Sequence, residues 1–422
     1  MQNDRYQANL TLREPTGSIV PHVALYAIQF VALASPSFKY RRLFFSSIII
    51  ALAIQAHLNP HFTNNVALAQ PFTIAWSYYM ATLAKLLFSA NGPEAQYWRI
   101  DRPAAEARSF VGFGWRKLVW ASMVVFNQRG VRWNHQVKNV PLIPQGQSKT
   151  KFLFWQAWQF VKCMMIADLL FELTRRWMFM LPDGSVGTVN SKYLSLQHPD
   201  WRWSFAKAFV FGSTPYFMLS MQYAQFAFVA VLLGLSKPED WPSPFGKLSH
   251  ATTVRDFWGS YWHQQLRHML TQYSDAVATF FRIRKGTNMS SYTKLYTAFL
   301  ISGTFHALSQ LQMPSPINIT AEERTRGFFL FFVWQMAAIT LEDFVQWIVR
   351  TTRVPIFRGE GTWISTVVGW AWVTVVMWKG LPLVGDTFVR MRMGVDPLLP
   401  NSFSRGFVER WVPIPPPSFE RM

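Results

Sequence analysis

The stretch TVRDFWGSYWHQQLRHML (residues 253–270), with the apolar run LYTAFLISGTFHALSQL (295–311) that follows it after a basic turn, decides how the whole chain reads. Seven residues are nearly two helical turns and four just over one, so a helix here would place Asp256, His263 and Arg267 on one face. Trp258, Trp262 and Leu266 would then form a separate apolar stripe. In the second run Ser302, His306 and Gln310 recur every four residues along an otherwise apolar helix. A titratable imidazole thus sits where polarity is costly.

The surroundings of this stretch are those of a membrane protein. Of 422 residues, 50% are hydrophobic and 15% charged, with 20 Trp and 37 Phe, so many segments have little polar surface to offer water. The expected fold class is all-α, a polytopic integral membrane bundle. About eight spans of the length that a bilayer crossing needs are found, near 20–36, 43–58, 66–88, 152–171, 205–235, 295–312, 327–349 and 362–385. The piece FVGFGWRKLVWASMVVF (110–126) carries Arg116 and Lys117 mid-way and reads as a helix lying at the interface.

The net charge of +19 is explained by topology. With the loop 89–151 in the cytosol, alternation places 36–42, 89–151, 236–294 and 350–361 on the same side, and these hold 24 Lys or Arg against 8 acids. The opposite set, 1–19, 59–65, 172–204, 313–325 and 386–422, holds 12 against 11. That is the positive-inside bias, and it removes the need for nucleic acid as a partner. The sequons at Asn9 and Asn318 fall on the predicted lumenal side and the one at Asn288 on the cytosolic side. The first 19 residues, containing Asp4, Arg5, Arg13 and Glu14, lack the order of a cleavable signal, so the first span is expected to act as an anchor.

Several chemistries are set aside. One cysteine, Cys163, allows no intramolecular disulfide and reads as an inert buried thiol. His263 and His268 are five apart, a poor spacing for two ligands on one helix, and no HExxH is present, so no metal is expected. No Walker loop and no GxSxG occurs. Lys85 lies near a span end, where it can snorkel, and Asp168 and Lys207 are similarly placed. The adjacent Glu342 and Asp343 read as solvated at a span boundary.

Two features carry chemistry. The loop 127–144 interleaves Arg129, Arg132 and Lys138 with Gly130, Trp133, Asn134 and His135. It reads either as a holder of phosphates on a nucleotide-bearing cosubstrate or as an ordinary basic loop with a Trp at the headgroups; chemistry alone leans to the second. His306 is either a satisfied structural residue or a proton-transfer group. Ser302 and Gly303, one turn earlier, leave room for a ligand beside it, and an imidazole in an apolar pocket stays neutral, as a general base must.

Three blocks, RGVRWNHQVKNVP (129–141), RDFWGSYWHQQLR (255–267) and SGTFHAL (302–308), make the chain resemble the membrane-bound O-acyltransferase superfamily, in particular its fungal wax-synthase-like branch with terpenoid and meroterpenoid O-acetyltransferases. The resemblance implies one membrane-embedded domain over 1–422, with scaffold spans in 1–100, the catalytic region in 101–385 and a Pro-rich tail in 386–422. It implies acyl transfer from acetyl-CoA, a cosubstrate, with no tightly bound cofactor, to a hydroxyl on a hydrophobic acceptor in the endoplasmic reticulum membrane. His306 would deprotonate the acceptor. His263 stands where many members carry an asparagine, and an imidazole N–H there can donate to the thioester carbonyl. Arg129, Arg132, Trp133, Lys138, Asp256, Trp258, Trp262, Arg267, Ser302 and Gln310 would line the substrate and coenzyme A path. The rival with the same chemistry is a wax or sterol ester synthase. A proton-coupled transporter is disfavoured, since intramembrane acids are scarce and no broken, repeated pair of spans occurs. Acceptor, donor length and oligomeric state are not readable from the residues.

Overall fold

Where water is absent, a backbone must satisfy its own N–H and C=O groups, and the apolar runs do so as helices. The computed structural model describes residues 11–416 apart from 142, 144, 145, 182, 187–189 and 353–362. The sequon at Asn9, most of the loop 350–361 and the tail beyond Pro416 lie outside them. Among the described residues the structure is helical without a strand. The principal helices are α1 (Ile19–Ala34), α2 (Arg41–Leu58), α3 (Val66–Thr73), α4 (Ala75–Leu87), α5 (Trp115–Phe126), α6 (Lys149–Thr174), α7 (Trp201–Leu232), α8 (Arg267–Phe280), α9 (Asn288–Ser309), α10 (Ala321–Thr352) and α11 (Trp363–Arg390).

Four of these, α2, α7, α10 and α11, are long and apolar enough to cross a membrane. The other expected crossings coincide with helices that are shorter or more polar, and the one at 66–88 is interrupted at Ile74 between α3 and α4. The 110–126 piece forms only the 12 residues of α5, about 18 Å of helix, too short to span. Trp115, Arg116 and Phe126 on it are exposed.

The described residues fall into two compact units: those within 1–13, 142–262 and 315–422, and those within 14–141 and 263–314. In the first, α6 packs along α7 and α10 along α11. Gly327 makes the second contact possible, since a Cβ there would lie 2.1 Å from the Leu383 carbonyl oxygen; small residues allow such approach between apolar helices. Two acids, the buried Asp168 and the partly buried Asp386, anchor the loops of this unit. Asp168 accepts from the hydroxyls of Ser402 and Ser404 and the Ser404 N–H. Asp386 accepts from Ser195 and the Leu196 N–H.

Glu342 corrects the expectation of a solvated acid pair. It is buried on α10 and accepts from the Val254 N–H at 2.7 Å and the Trp372 indole at 3.0 Å, while Asp343 pairs with Arg255. The start of the 254–262 segment is therefore tied to two long helices.

In the second unit α1 packs on α2, α4 and α5, and α8 on α9. Glu94 accepts from Arg41 at 2.7 Å and Lys117 at 2.8 Å. Arg41 also donates to the Ala32 and Leu33 carbonyls, and Lys117 to that of Ser35. One carboxylate thus joins the α1–α2 turn to α5. Lys85 overturns the snorkelling expectation, being only 1% exposed.

Two outcomes follow from this packing. Gly327→Val is expected to destabilise the protein by about 1–3 kcal/mol or more through overpacking, read as a lowered thermal midpoint in detergent; an unchanged midpoint would mean that α10 and α11 do not meet at Leu383. Burial raises the Glu94 pKa, but Lys117 and Arg41 outweigh it and hold the carboxyl below its ordinary 4.5. Its contribution is therefore full above pH 4.5 and is lost as pH falls through the lower folded value. Glu94→Gln, which leaves two buried cations, should cost about 3–5 kcal/mol at neutral pH and flatten the acid limb of stability against pH.

Candidate active site

His306 lies on α9 one turn beyond Ser302. Its Nδ1 is 2.8 Å from the Ser302 carbonyl oxygen and 3.3 Å from the Ser302 hydroxyl. A carbonyl only accepts, so Nδ1 carries the proton and Nε2 the lone pair. The ring is held from the side as well. Trp76 meets it edge-on at 5.1 Å and stacks on Phe305 at 5.4 Å. Tyr79 and His57, hydrogen-bonded to each other at 3.0 Å, also flank Phe305. Nothing in the sequence of α4 marked Trp76 as more than an apolar span residue; its partner on α9 is distant in sequence.

His263 precedes α8 in the same unit, close enough for His306 and Arg129 to act on it. Burial first, then the charges of those two groups, bring its pKa down to about 4. At neutral pH it is an uncharged imidazole with one N–H to donate. Arg129 is 6% exposed, and its carbonyl accepts from the Val137 N–H at 3.0 Å, closing the 129–137 loop. Gly130 is required in that loop. Its φ is +61°, and a Cβ would come within 2.9 Å of the His135 ring.

The other predicted residues divide. Arg132 pairs with Asp101 at 2.9 Å, Trp133 is buried and Lys138 exposed. Arg267 donates to Gln264 at 2.9 Å. Gln310 donates to the His306 carbonyl and to Ser309, closing the end of α9 instead of extending its polar stripe.

Asp256, Trp258 and Trp262 belong to the first unit. The single helix face expected for Asp256, His263 and Arg267 does not exist. The Thr253 hydroxyl caps a one-turn helix at Val254–Asp256, and Asp256 in turn accepts from that hydroxyl. A π-turn follows over Phe257–Tyr261, and Trp262 is extended with ψ 150°, so regular helix resumes only at Arg267. The wide turn brings Trp258 and Trp262 together at 6.0 Å and lets the Trp258 indole donate to Gln335 at 3.1 Å. A Leu266 stripe on the same helix is ruled out by the same break.

Sequence reading also missed a cleft of about 190 Å³ lined by Trp98, Arg102, Phe110, Trp115, Arg116 and Trp133 among others. Glu106 accepts from both Arg102 and Arg116 across it.

His306, with its Nδ1 proton on the Ser302 carbonyl, and the uncharged His263 are groups able to take and to donate a proton. Residues 241–334 match the membrane bound O-acyl transferase family, and residues 148–232 match the C-terminal domain of aspirochlorine biosynthesis protein F. The chain belongs to the membrane-bound O-acyltransferase family and is an acyltransferase. It is 40% identical to aspirochlorine biosynthesis protein F of Aspergillus oryzae over 233 residues, 55% of this chain and 91% of that protein. It is 26% identical to acetyltransferase eriL of Hericium erinaceus over 70% of this chain and 72% of the relative. With acetyltransferase sirH of Emericella nidulans the identity is 29%, over 69% and 66%.

If Trp76 holds the His306 ring in register, Trp76→Ala should lower kcat about 10- to 100-fold at equal protein level, while Trp76→Phe keeps most of it. Equal rates for both variants and the native chain would remove Trp76 from the site.

Proposed function

We propose that this protein transfers the acetyl group of acetyl-CoA to a hydroxyl of a hydrophobic terpenoid or meroterpenoid, in the endoplasmic reticulum membrane with its basic loops cytosolic. The acetyltransferase names of the relatives eriL and sirH support the donor. Their branch, read from the three sequence blocks, supports the acceptor. The single observation that carries the mechanism is the bond from His306 Nδ1 to the Ser302 carbonyl.

That bond leaves Nε2 as the base. Nε2 takes the acceptor O–H proton as the oxygen attacks the thioester carbon. The carbonyl oxygen gains negative charge, and the neutral His263 donates to it, the task that an amide performs in relatives bearing asparagine. Collapse restores the C=O bond, breaks C–S and expels the coenzyme A thiolate, which takes the proton from the His306 imidazolium. Atoms and charge balance without a metal. The buried Arg129, beside His263, and the Trp98–Arg102–Trp115–Arg116 cleft supply the cationic and planar surfaces that a nucleotide-bearing donor needs.

The test is ester formation in microsomes given labelled acetyl-CoA, longer acyl-CoAs and a panel of terpenoid alcohols, sterols and fatty alcohols. His306→Ala is expected to lose about two orders of magnitude or more. His263→Ala should lose about 10²–10³-fold in kcat, with His263→Asn regaining much of it. Full activity in His306→Ala overturns the mechanism. Preference for long donors and fatty alcohols overturns the substrate assignment.

A further inference from the structure

The hairpin of α8 and α9 ends in a tip, FFRIRKGTNM (280–289), whose composition suits neither open water nor a protein interior. Phe280, Phe281 and Met289 are 80, 66 and 67% exposed, and Arg282, Arg284 and Lys285 are exposed as well. Large apolar side chains gathered on a surface mark a place where something other than water is met. Below the tip the hairpin is closed. Lys294 pairs with Asp275 at 2.6 Å, and the Ser274 hydroxyl reaches the Lys294 carbonyl at 3.3 Å. Asp275 is the last acid before Glu322. The tip thus carries three positive charges and no negative one.

The backbone holds these groups together. The Ile283 N–H donates to the Ala278 carbonyl at 2.9 Å and the Arg282 N–H to the Thr279 carbonyl at 3.0 Å, the pair of bonds that ends a helix on a left-handed residue. That residue is Arg282, with φ +53°, at a position where glycine is ordinarily found. Thr287 starts α9 by accepting from the Ser290 N–H at 3.2 Å.

The tip also lies close to where a membrane-crossing helix begins. Arg42, in the first turn of α2, donates to the Ser89 carbonyl at 3.0 Å. The adjoining Phe88 ring meets Tyr273 of α8 edge-on at 5.5 Å. Phe280 is seven residues beyond Tyr273, about 10 Å of helix. Aromatic side chains favour the boundary between hydrocarbon and headgroups, and clustered cations favour anionic headgroups.

We propose that this tip docks on the bilayer surface by binding anionic phospholipid. Phe280, Phe281 and Met289 enter between the headgroups, while Arg282, Arg284 and Lys285 bind their negative oxygens. Docking holds the start of α9 at the membrane surface, and α9 carries His306 five turns further on. The proposal rests on the chain lying in a membrane and is independent of the acyl donor and acceptor.

The test uses the full-length chain in lipid nanodiscs, with Met289→Cys carrying an environment-sensitive dye; the native Cys163 is buried. Emission is expected to shift to the blue as phosphatidylserine replaces phosphatidylcholine, to saturate, and to be reversed by high salt. Arg282→Gln, Arg284→Gln and Lys285→Gln should lower the ratio of docked to free tip about fivefold for each cation removed. Phe280→Ser with Phe281→Ser should lower it several-fold and leave its salt dependence in place. Lys237→Gln, Lys247→Gln and Arg350→Gln together remove the same charge from exposed positions in the other unit, and should leave the shift intact.

Arg282→Gly separates lipid binding from folding. Glycine accepts the left-handed backbone, so the thermal midpoint in detergent should not fall, while docking weakens about fivefold. An emission that is the same in both lipids, or that the three glutamines at the tip leave unchanged, overturns the proposal. So does an equal loss in the charge-matched variant, which assigns the shift to the overall charge of the chain.

Discussion

In an apolar environment every buried donor and acceptor must find its partner within the protein, and most of this structure follows from that constraint. It makes the apolar runs into helices, and it dictates where their polar residues go. Thr82 donates to Gln29 across α4 and α1. Glu94 collects Arg41 and Lys117, Asp168 collects the serines at 402 and 404, Asp386 the loop at 195–196, and Glu342 the first residue of the 254–262 segment. Each of these bonds fixes a connection between helices that apolar packing alone would leave free to slide.

The same constraint sets the geometry around His306. The carbonyl of Ser302 satisfies the His306 Nδ1–H, and by doing so decides which nitrogen carries the lone pair. Burial, with the charges of His306 and Arg129, brings the His263 pKa down to about 4, so its imidazole is uncharged at neutral pH.

The local geometry around His306 was legible in the chain. An imidazole within an apolar run, with a hydroxyl and a glycine one turn before it, is an unusual composition, and Ser302 and His306 do share a face of α9. The helix assumed over 253–270 failed for a local reason. Thr253 caps a single turn, the Trp262 N–H reaches back to the Phe257 carbonyl at 2.7 Å in a π-turn, and the chain then runs extended. Spacing of apolar residues does not distinguish this from an α-helix, since a one-residue widening preserves most of the pattern. Lys85 and Glu342 were misread for a different reason. A charged residue near a span end reaches water or turns inward depending on partners far off in sequence, and those partners are visible only once the chain is folded.

By itself the sequence determined the helical class, the apolar character of the long segments and the recurrence of Ser302, His306 and Gln310 along one of them, because composition and a four-residue repeat are properties of a single segment. The tertiary structure alone decided the tautomer of His306, the setting of its ring against Trp76, the burial that keeps His263 neutral, and the burial of Lys85. Those depend on distances between elements brought together from separate parts of the chain, and no local pattern encodes such distances.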